Sequence, residues 1–236
     1  MSVDASYYFS DFGSFIYPEV FEGIRYPWEA LKKADEVIER VLTKPGVESM
    51  LGECKGRIHT YGCYSVGRGT VIYNDVTIIG PAIIGEDCEI MPGAVIRPGT
   101  IIGHHCVIGH GCEIKHSVVQ NYAKVQSMSF VGDCVIGRSA RVGSGVITAN
   151  RKFDQSNVTA RSDEGRLDMG TSFFGCVLGD HSRIGANGVT QPGTLVGPYT
   201  WIYPGTVVRG FIPRQKRVYF ERPIVMEENP IVELKP

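Results

Sequence analysis

Aliphatic residues recur at every sixth position over two long stretches of this chain. The first stretch contains Ile84, Ile90, Ile96, Ile102, Ile108 and Ile114, and the second contains Leu178, Ile184, Thr190, Val196, Ile202 and Val208. A period of six matches neither the 3.6-residue period of an α-helix nor the simple alternation of a strand. It is typical of a parallel β-helix that turns one corner per hexapeptide and buries the aliphatic side chain.

Small side chains stand two residues before many of these aliphatic positions, which predicts close packing beside each corner. Most of the seven cysteines occupy this small position, namely Cys88, Cys106, Cys112, Cys134 and Cys176. No Cys-x-x-Cys pair occurs, so the spacing indicates neither a disulfide framework nor a zinc site. We expect reduced thiols that pack as small hydrophobic groups.

Glycine, with 29 residues among 236, is about twice as frequent as in average proteins. It directly follows an aliphatic repeat position at Gly85, Gly103, Gly109, Gly137, Gly143, Gly179, Gly185 and Gly197. We interpret these glycines as corner residues that supply the backbone freedom a tight turn requires.

The pattern divides the chain into three predicted parts. Residues 1–50 form an aromatic-rich arm and a helix that begins at Pro27 and extends to about Leu42. Residues 51–212 form the β-helix, which is interrupted by an inserted loop at 150–170, and residues 213–236 form a tail. The aromatic arm is expected to pack on the coil or on a neighbouring subunit, and a long loop in a regular solenoid is typically functional.

The charge pattern narrows the possible partners. The net charge is -1, which gives no basic field for nucleic acid or an acidic membrane surface. The sequence contains no apolar run long enough to span a bilayer and no signal peptide pattern. We therefore expect a cytoplasmic protein that binds neither nucleic acid nor membrane.

Several motifs carry a resemblance to a known family. They are Tyr26-Pro-Trp-Glu-Ala-Leu, Ile96-Arg-Pro-Gly99, Glu113-Ile-Lys115, Phe130-Val-Gly-Asp-Cys-Val-Ile-Gly137 and Gly143-Ser-Gly-Val-Ile-Thr-Ala-Asn150-Arg-Lys-Phe-Asp154. From about Tyr26 to Val218 the chain resembles the C-terminal β-helix portion of bifunctional sugar-1-phosphate nucleotidylyltransferase/acetyltransferases, most closely the archaeal type. No glycine-rich nucleotidylyltransferase loop occurs in residues 1–60, so uridyl transfer is not expected of this chain.

The resemblance implies an acetyltransferase that uses acetyl-CoA as co-substrate, needs no metal, and forms a homotrimer with sites in clefts between coils. It also implies the left hand of the β-helix. In the acceptor site it assigns a sugar phosphate to Arg97 and Lys115, the acceptor sugar to Asn150, and a substrate-binding position to Phe130. On the CoA side it assigns the thioester carbonyl to the backbone N–H of Ser144 and a CoA contact to Ala186. The basic residues Arg209, Arg214 and Lys216 are candidates for the CoA phosphates.

The spacing of Arg97 and Lys115 gives an independent reason to expect an anion. They stand three hexapeptides apart, so we predict that they stack on one face at about the 4.8 Å distance between neighbouring strands. Two cations so close repel each other unless they share an anion such as phosphate. The alternative is a solvated charged ladder.

The chain departs from the family pattern at the catalytic base. The family's catalytic histidine corresponds to Ser127 and a family tyrosine corresponds to Phe130. A serine hydroxyl cannot replace imidazole as a general base near neutral pH, a function worth about 10²–10⁴-fold in rate. Among the histidines, His116 is the best replacement candidate because it adjoins Lys115.

Two alternatives to an active acetyltransferase remain. One is a catalytically silent trimeric module that binds a sugar phosphate or regulates a partner. The other is a zinc site like that of γ-type carbonic anhydrases, because His105 and His110 have the five-residue spacing of two zinc ligands there. Zinc requires a third nitrogen ligand, and no histidine stands at the required upstream position.

Overall fold

The structure is a computed structural model that describes residues 3–44, 50–162 and 165–221. Within these ranges, short parallel strands stack coil upon coil into three sheets, which form the faces of a left-handed β-helix. The predicted fold class is therefore confirmed. Residues 1–2, 45–49 and 222–236 of the predicted arm and tail lie outside the described ranges.

Each coil contributes one strand to each sheet in the order sheet 1, sheet 2, sheet 3. Sheet 1 contains the strands Glu53–Lys55, Val71–Tyr73, Glu89–Ile90, Val107–Ile108, Lys124–Val125, Arg141–Val142, Arg183–Ile184, Trp201–Ile202 and Arg217–Val218. Sheet 2 contains His59–Tyr61, Thr77–Ile79, Val95–Ile96, Glu113–Lys115, Phe130–Gly132, Ile147–Thr148, Val189–Thr190 and Val207–Val208. Sheet 3 contains Tyr64–Val66, Ala82–Ile84, Thr100–Ile102, Val118–Val119, Val135–Ile136, Cys176–Leu178, Thr194–Val196 and Phe211–Ile212.

The repeated aliphatic residues fill the interior of the coil. Ile84, Ile96 and Ile108 are at most 1% exposed, and their counterparts in the other coils pack with them in one continuous core. The five cysteines of the small position are also buried in this core and carry no disulfide. This agrees with the prediction of structural thiols, whereas Cys54 and Cys63 are exposed.

The glycines after the aliphatic residues serve a purpose other than the predicted one. None of them has a positive φ, but a Cβ atom at Gly85 would lie 2.6 Å from the carbonyl oxygen of Gly103 in the next coil. These glycines therefore permit the close stacking of coils. The left-handed backbone of the corners falls later in the turn, for example at His105 and Met128, where φ is 57° and 61°.

The N-terminal arm packs on the coil itself. It contains helix α1 (Ala5–Tyr8), a 3₁₀ turn (Pro18–Val20) and helix α2 (Glu29–Leu42). Sheet 3 is apolar on both sides, and its outward residues Ile83, Ile101, Val118, Val135, Val177 and Leu195 form a second core with the arm and α2. The arm therefore covers the outer side of sheet 3. Its buried aromatic residues contact this chain's own coil, so they give no support to the alternative that the arm packs on a neighbouring subunit.

The structure extends the coil beyond its predicted end and shows structure within the inserted loop. The coil continues through the strand Arg217–Val218 instead of ending at residue 212, because this strand pairs with Trp201–Ile202. The inserted loop carries an antiparallel hairpin with strands Thr159–Ser162 and Gly165–Asp168. Val158 and Met169 of this loop join the second core, so part of the loop is packed rather than solvated.

Candidate functional site

Most of the predicted site residues lie along the two edges of sheet 2. Where the chain passes from sheet 1 to sheet 2, which we call corner 1–2, Ser127, Ser144 and Ala186 stack in successive coils. Where it passes from sheet 2 to sheet 3, which we call corner 2–3, Arg97, Lys115 and Asn150 follow or end the strands. Phe130 begins a sheet 2 strand between the two corners.

Asp133 is the centre of a polar cluster at corner 2–3. Its side chain is 3% exposed, and its Oδ2 atom accepts hydrogen bonds from Lys115 Nζ at 3.1 Å and from Asn150 Nδ2 at 2.6 Å. Its other oxygen lies 2.8 Å from Nδ1 of His116. The carboxylate thus fixes the two residues that the resemblance assigns to the acceptor, the lysine and the asparagine.

His116 connects this cluster to helix α2. Its second ring nitrogen, Nε2, lies 3.1 Å from the carboxylate of Asp35 on that helix. Hydrogen bonds to Asp133 and Asp35 raise the pKa of His116 to about 9, although burial opposes the shift. At neutral pH the ring is therefore a cation with both nitrogens engaged, which is the wrong state for a general base. The structure does not support the predicted role of His116 as the replacement base.

Asp133 remains ionised despite its burial. Burial raises the pKa of this carboxyl group, but the hydrogen bonds from His116 and Asn150 and the charge of Lys115 outweigh it and lower the pKa below its ordinary value. The cluster therefore combines two anions, Asp35 and Asp133, with two cations. It is close to neutral as a whole.

Arg97 and Lys115 stack one coil apart as predicted, because the Arg97 N–H donates to the carbonyl of Ile114. They do not lack counter-charges, however. Arg97 Nη1 lies 2.6 Å from Glu113 Oε1, while Lys115 pairs with Asp133. The sequence-based argument assumed that the two cations have no counter-charge within the chain. This assumption is wrong, so their stacking alone does not require a bound anion. Lys115 still has ammonium protons to offer, since its three donors exceed the one that Asp133 accepts.

The wall beside this cluster comes from the inserted loop. A cavity of about 460 Å³ opens beside Lys115, His116 and Asp133 and is bounded by Thr171 and Phe173 at the end of that loop. The ammonium group of Lys115 lies 4.6 Å from the centre of the Phe173 ring, and the guanidinium group of Arg151 lies 4.8 Å from it. The end of the loop thus places the Phe173 ring beside Lys115, one of the predicted acceptor-binding residues. Arg151, on the same ring, adds a second cation next to Lys115.

Corner 1–2 carries a different kind of opening. A groove of about 390 Å³ is lined by Ser144 and Ala186 of this corner and by outward residues of sheet 1, including Arg141, Arg183 and Trp201. Among the described residues no acceptor takes the backbone N–H of Ser144. The stabilisation of a thioester carbonyl requires a backbone donor of this kind, one that no group of the protein already engages.

The cations of this groove were not anticipated from the sequence. Lys124, Arg141 and Arg183 stand in direct cross-strand register on sheet 1, and Trp201 pairs with Arg183 and Arg217 on either side. No carboxylate in the described ranges pairs with these arginines, although Arg183 and Arg217 each lie 5.7 Å from the Trp201 ring centre. The inserted loop separates Arg141 from Arg183 in sequence, which hides their stacking. In the sequence, their stacking is indicated by a shared position: each arginine stands directly before a buried aliphatic residue and therefore points outward.

The basic residues that were expected to hold CoA phosphates lie elsewhere. Arg209 follows a sheet 2 strand at corner 2–3, and Lys216 is exposed at the edge of the last coil. Arg214 packs over the ring of Tyr7 in the arm, and its backbone N–H donates to the Tyr7 hydroxyl at 2.9 Å. None of the three lines the groove that contains Ser144 and Ala186.

The zinc alternative is not supported by the geometry. His105 lies at the corner between sheets 3 and 1, where it stacks on Tyr122, whereas His110 lies at corner 1–2. Within the described part of the chain, no group of three histidine, cysteine or carboxylate side chains is arranged to hold a metal ion. The same ranges contain no helix both long and apolar enough to cross a membrane.

Comparison with known proteins agrees with this architecture. The family described as the GMPPB C-terminal domain matches residues 78–218. The chain is 34% identical over 155 residues to the bifunctional sugar-1-phosphate nucleotidylyltransferase/acetyltransferase of Sulfurisphaera tokodaii, covering 58% of this chain and 39% of that protein. It is 34% identical over 172 residues to the bifunctional protein GlmU of Heliobacterium modesticaldum, covering 72% of this chain and 36% of that protein.

The chain thus spans less than half the length of these curated relatives. Among solved structures, the acetyltransferase domain of PglB from Neisseria gonorrhoeae in complex with acetyl coenzyme A matches with 20% identity and a TM-score of 0.35. That match covers 64% of this chain and 55% of the other. The chain belongs to the family of the GMPPB C-terminal domain and corresponds to the C-terminal acetyltransferase hexapeptide portion of the bifunctional sugar-1-phosphate nucleotidylyltransferase/acetyltransferases.

Proposed function

We propose that this protein transfers an acetyl group from acetyl-CoA to an amino-sugar phosphate. The observation that carries the proposal is the groove at corner 1–2, which is lined by Arg141, Arg183 and Ser144, and no acceptor in the described ranges takes the backbone N–H of Ser144. CoA is an extended molecule with phosphates at one end and a thioester at the other. A groove with unpaired cations on one side and a free N–H on the other matches both ends.

The CoA side of this proposal differs from the sequence-based expectation. The proposal retains the backbone N–H of Ser144 for the thioester carbonyl and Ala186 as a CoA contact. The phosphates are assigned to Arg141 and Arg183 instead of Arg209, Arg214 and Lys216. Arginine forks bind phosphate oxygens through two parallel hydrogen bonds, which favours this pair.

The acceptor side is corner 2–3. Asp133 holds the amide of Asn150 and the ammonium of Lys115, and Arg151 and Phe173 lie beside them. An amide offers both a donor and an acceptor to hydroxyl and amine groups, and the cations suit a sugar phosphate. Phe130 and Asn150 crowd together over Gly132, where a Cβ atom would lie 2.6 Å from the Phe130 ring and 2.9 Å from Asn150 Nδ2. The Sulfurisphaera tokodaii relative, a bifunctional sugar-1-phosphate nucleotidylyltransferase/acetyltransferase, supports the same acceptor class.

A homotrimer is part of this proposal because the two corners lie on opposite edges of sheet 2. A neighbouring copy whose corner 1–2 faces corner 2–3 of this chain would bring acyl donor and acceptor together. The outward apolar side chains of sheet 3 are covered by the arm, but those of sheet 2 are not. Ile147 and Val207 of sheet 2, for example, are 42% and 60% exposed. Exposed apolar residues on one face favour subunit contact.

The test is a thiol-release assay with acetyl-CoA and either glucosamine 1-phosphate or galactosamine 1-phosphate. We expect turnover by the wild type, a large rise in the acceptor KM for Lys115→Ala, and a large rise in the acetyl-CoA KM for Arg183→Gln. If the wild type releases no thiol with any amino-sugar phosphate, the proposed activity is wrong. The oligomeric state, measured by sedimentation, tests the trimer separately.

A second candidate function is a silent trimeric module that binds a sugar phosphate. The observation in its favour is Ser127, which stands at corner 1–2 where the family has its catalytic histidine. In that case the wild type would bind the sugar phosphate in calorimetry without turnover, and Ser127→His would introduce activity into an otherwise intact cleft. Turnover by the wild type excludes this candidate.

A further inference from the structure

A line of charged contacts connects helix α2 with the predicted acceptor residues. Nε2 of His116 lies 3.1 Å from the Asp35 carboxylate on the helix, and Nδ1 lies 2.8 Å from Asp133. Asp133 in turn accepts hydrogen bonds from Lys115 and Asn150. Every link is a direct hydrogen bond, so a change at Asp35 reaches the acceptor residues through two side chains.

Gly99 provides the space for the first of these contacts. It stands at corner 2–3 one coil before His116, and its φ of 75° lies in the left-handed region. A Cβ atom at Gly99 would lie 2.4 Å from Cδ2 of the His116 ring and 3.2 Å from Oδ1 of Asp35. A side chain at this position would therefore displace the imidazole from the helix carboxylate.

The pair of Asp35 and His116 forms part of the wall of the acceptor cavity. Both residues line the cavity of about 460 Å³ beside Lys115, together with Thr171 of the inserted loop. The same three residues also line a second cavity of about 420 Å³, which lies between helix α2 and the loop. Helix α2 thus borders the space for the acceptor at a point that the coil alone does not fill.

The charge of His116 keeps the two carboxylates together. Hydrogen bonds to Asp133 and Asp35 raise its pKa to about 9, so near neutral pH both ring nitrogens donate. Other charged groups also border the ring in its two cavities. They are Lys115 on the coil, Glu29 and Lys32 on helix α2, and Asp168 on the inserted loop.

We propose that Asp35 is a positioning residue for the acceptor and acts through His116 and Asp133. This inference rests on the proposed function and adds to it a residue from outside the coil. Because one imidazole binds both carboxylates, Asp35 determines how the ring meets Asp133. Asp133 then presents the Lys115 ammonium and the Asn150 amide to the sugar phosphate. The arm is therefore part of the acceptor site as well as the cover of sheet 3.

The test compares Asp35→Asn with the matched variant Glu39→Gln in the thiol-release assay. Both substitutions remove a carboxylate from exposed positions one turn apart on helix α2, and of the two Asp35 is the one that contacts His116. We expect Asp35→Asn to raise the KM of the amino-sugar phosphate about tenfold, because a hydrogen bond between charged groups is lost. The KM of acetyl-CoA should stay unchanged. Glu39→Gln should match the wild type, and Asp35→Glu, which keeps the carboxylate, should recover most of the affinity.

A double-mutant cycle shows whether Asp35 acts through His116. In the His116→Gln background the contact between imidazole and helix carboxylate is already lost. Asp35→Asn should therefore raise the acceptor KM no further in that background, whereas independent effects of the two substitutions would multiply.

The pH profile of the acceptor KM is a readout that a purely structural role of Asp35 would not move. The wild-type KM should rise as the pH passes about 9, because a neutral imidazole has one N–H and cannot donate to both carboxylates. Loss of the Asp35 carboxylate lowers the pKa of His116, so in Asp35→Asn this rise should begin at a lower pH. Ionisation of the substrate is common to all variants and cancels in the comparison.

Calorimetry with glucosamine 1-phosphate and galactosamine 1-phosphate separates this proposal from the acetyltransferase activity. If the wild type turns over and Asp35→Asn has the acceptor KM of Glu39→Gln, or if the double-mutant effects multiply, the positioning role is wrong and the activity stands. If the wild type binds a sugar phosphate without turnover, weaker binding by Asp35→Asn than by Glu39→Gln supports the positioning role although the activity is wrong. A wild type that neither turns over nor binds either compound would overturn both proposals.

Discussion

The coil carries two columns of stacked cations, and they differ in what balances their charge. In the column at corner 2–3, Arg97 pairs with Glu113 and Lys115 pairs with the buried Asp133. In the column on sheet 1, Lys124, Arg141 and Arg183 stand in the same kind of register, but no carboxylate in the described ranges pairs with them. Like charges opposite each other on neighbouring strands are destabilising. An internal counter-charge thus makes such a column part of the fold, whereas a column without one is suited to bind an anionic ligand.

The two columns also differ in burial. The side chain of Asp133 is almost completely buried and contacts three partners, Lys115, His116 and Asn150, so it defines the positions of the lysine and the asparagine. The arginines of sheet 1 are exposed, and Arg183 lies 5.7 Å from the centre of the Trp201 ring. Removing a charge should therefore harm stability in the first column and ligand binding in the second.

The largest effect is expected for Asp133→Asn. The substitution leaves the cations of Lys115 and His116 beside each other without their shared anion, and breaking a buried charge pair costs about 3 kcal/mol or more. Urea unfolding should show this loss in the free energy of unfolding. The matched control is Glu113→Gln in the half-exposed pair with Arg97, which should cost less than about 1 kcal/mol. Equal losses for the two variants would show that burial does not distinguish these pairs.

A smaller effect is expected from alkaline pH acting through His116. Its pKa is raised to about 9 in the folded protein, so its contribution to stability is fully present below its ordinary pKa of 6.5 and is lost as the pH rises through about 9. A neutral imidazole has only one N–H and cannot donate to both Asp133 and Asp35. The urea midpoint of the wild type should therefore fall between pH 7 and about 9.5 by more than that of His116→Gln.

The same pH series contains its own control. His105→Gln removes a histidine that stacks on Tyr122 and should leave the wild-type pH dependence unchanged. A decline in His116→Gln as steep as in the wild type would mean that other groups cause it. At the acid end, the lowered pKa of Asp133 works in the opposite direction, because its contribution is present above its ordinary pKa and lost as the pH falls.

The hexapeptide period was sufficient to predict the coil, its buried aliphatic residues and the structural cysteines, because these depend only on local spacing. Stacking of Arg97 on Lys115 was also predictable, since no insertion interrupts the three hexapeptides between them. The carboxylates that balance these two cations were not predictable. Glu113 and Asp133 lie one coil away from Arg97 and Lys115, and their side-chain directions depend on the folded register. The same limitation applies to Arg141 and Arg183, which the inserted loop separates.

The histidines show this limitation most clearly. His104, His110 and His116 are spaced by six and look equivalent in the sequence, yet the three corners place them in three different surroundings. The sequence favours His116 as a base because it adjoins Lys115, but the sequence does not indicate its contact with Asp35, which lies on a helix far away in the chain. Only the structure shows that the neighbour of Lys115 is a fixed cation.

Arg183→Gln is expected to have the smallest effect on stability. It tests whether the cation column on sheet 1, which lacks carboxylate partners in the described ranges, binds a ligand. Removing one of the stacked cations relieves repulsion on sheet 1, so the free energy of unfolding should stay the same or rise slightly. CoA affinity should fall about tenfold, which corresponds to about 1.4 kcal/mol, and this loss should shrink as salt is added because the lost contacts are ionic. Arg209→Gln provides the comparison, since that arginine lies at corner 2–3 outside the groove. Calorimetry with CoA would reverse our assignment of the phosphate site if Arg209→Gln weakened binding more than Arg183→Gln did.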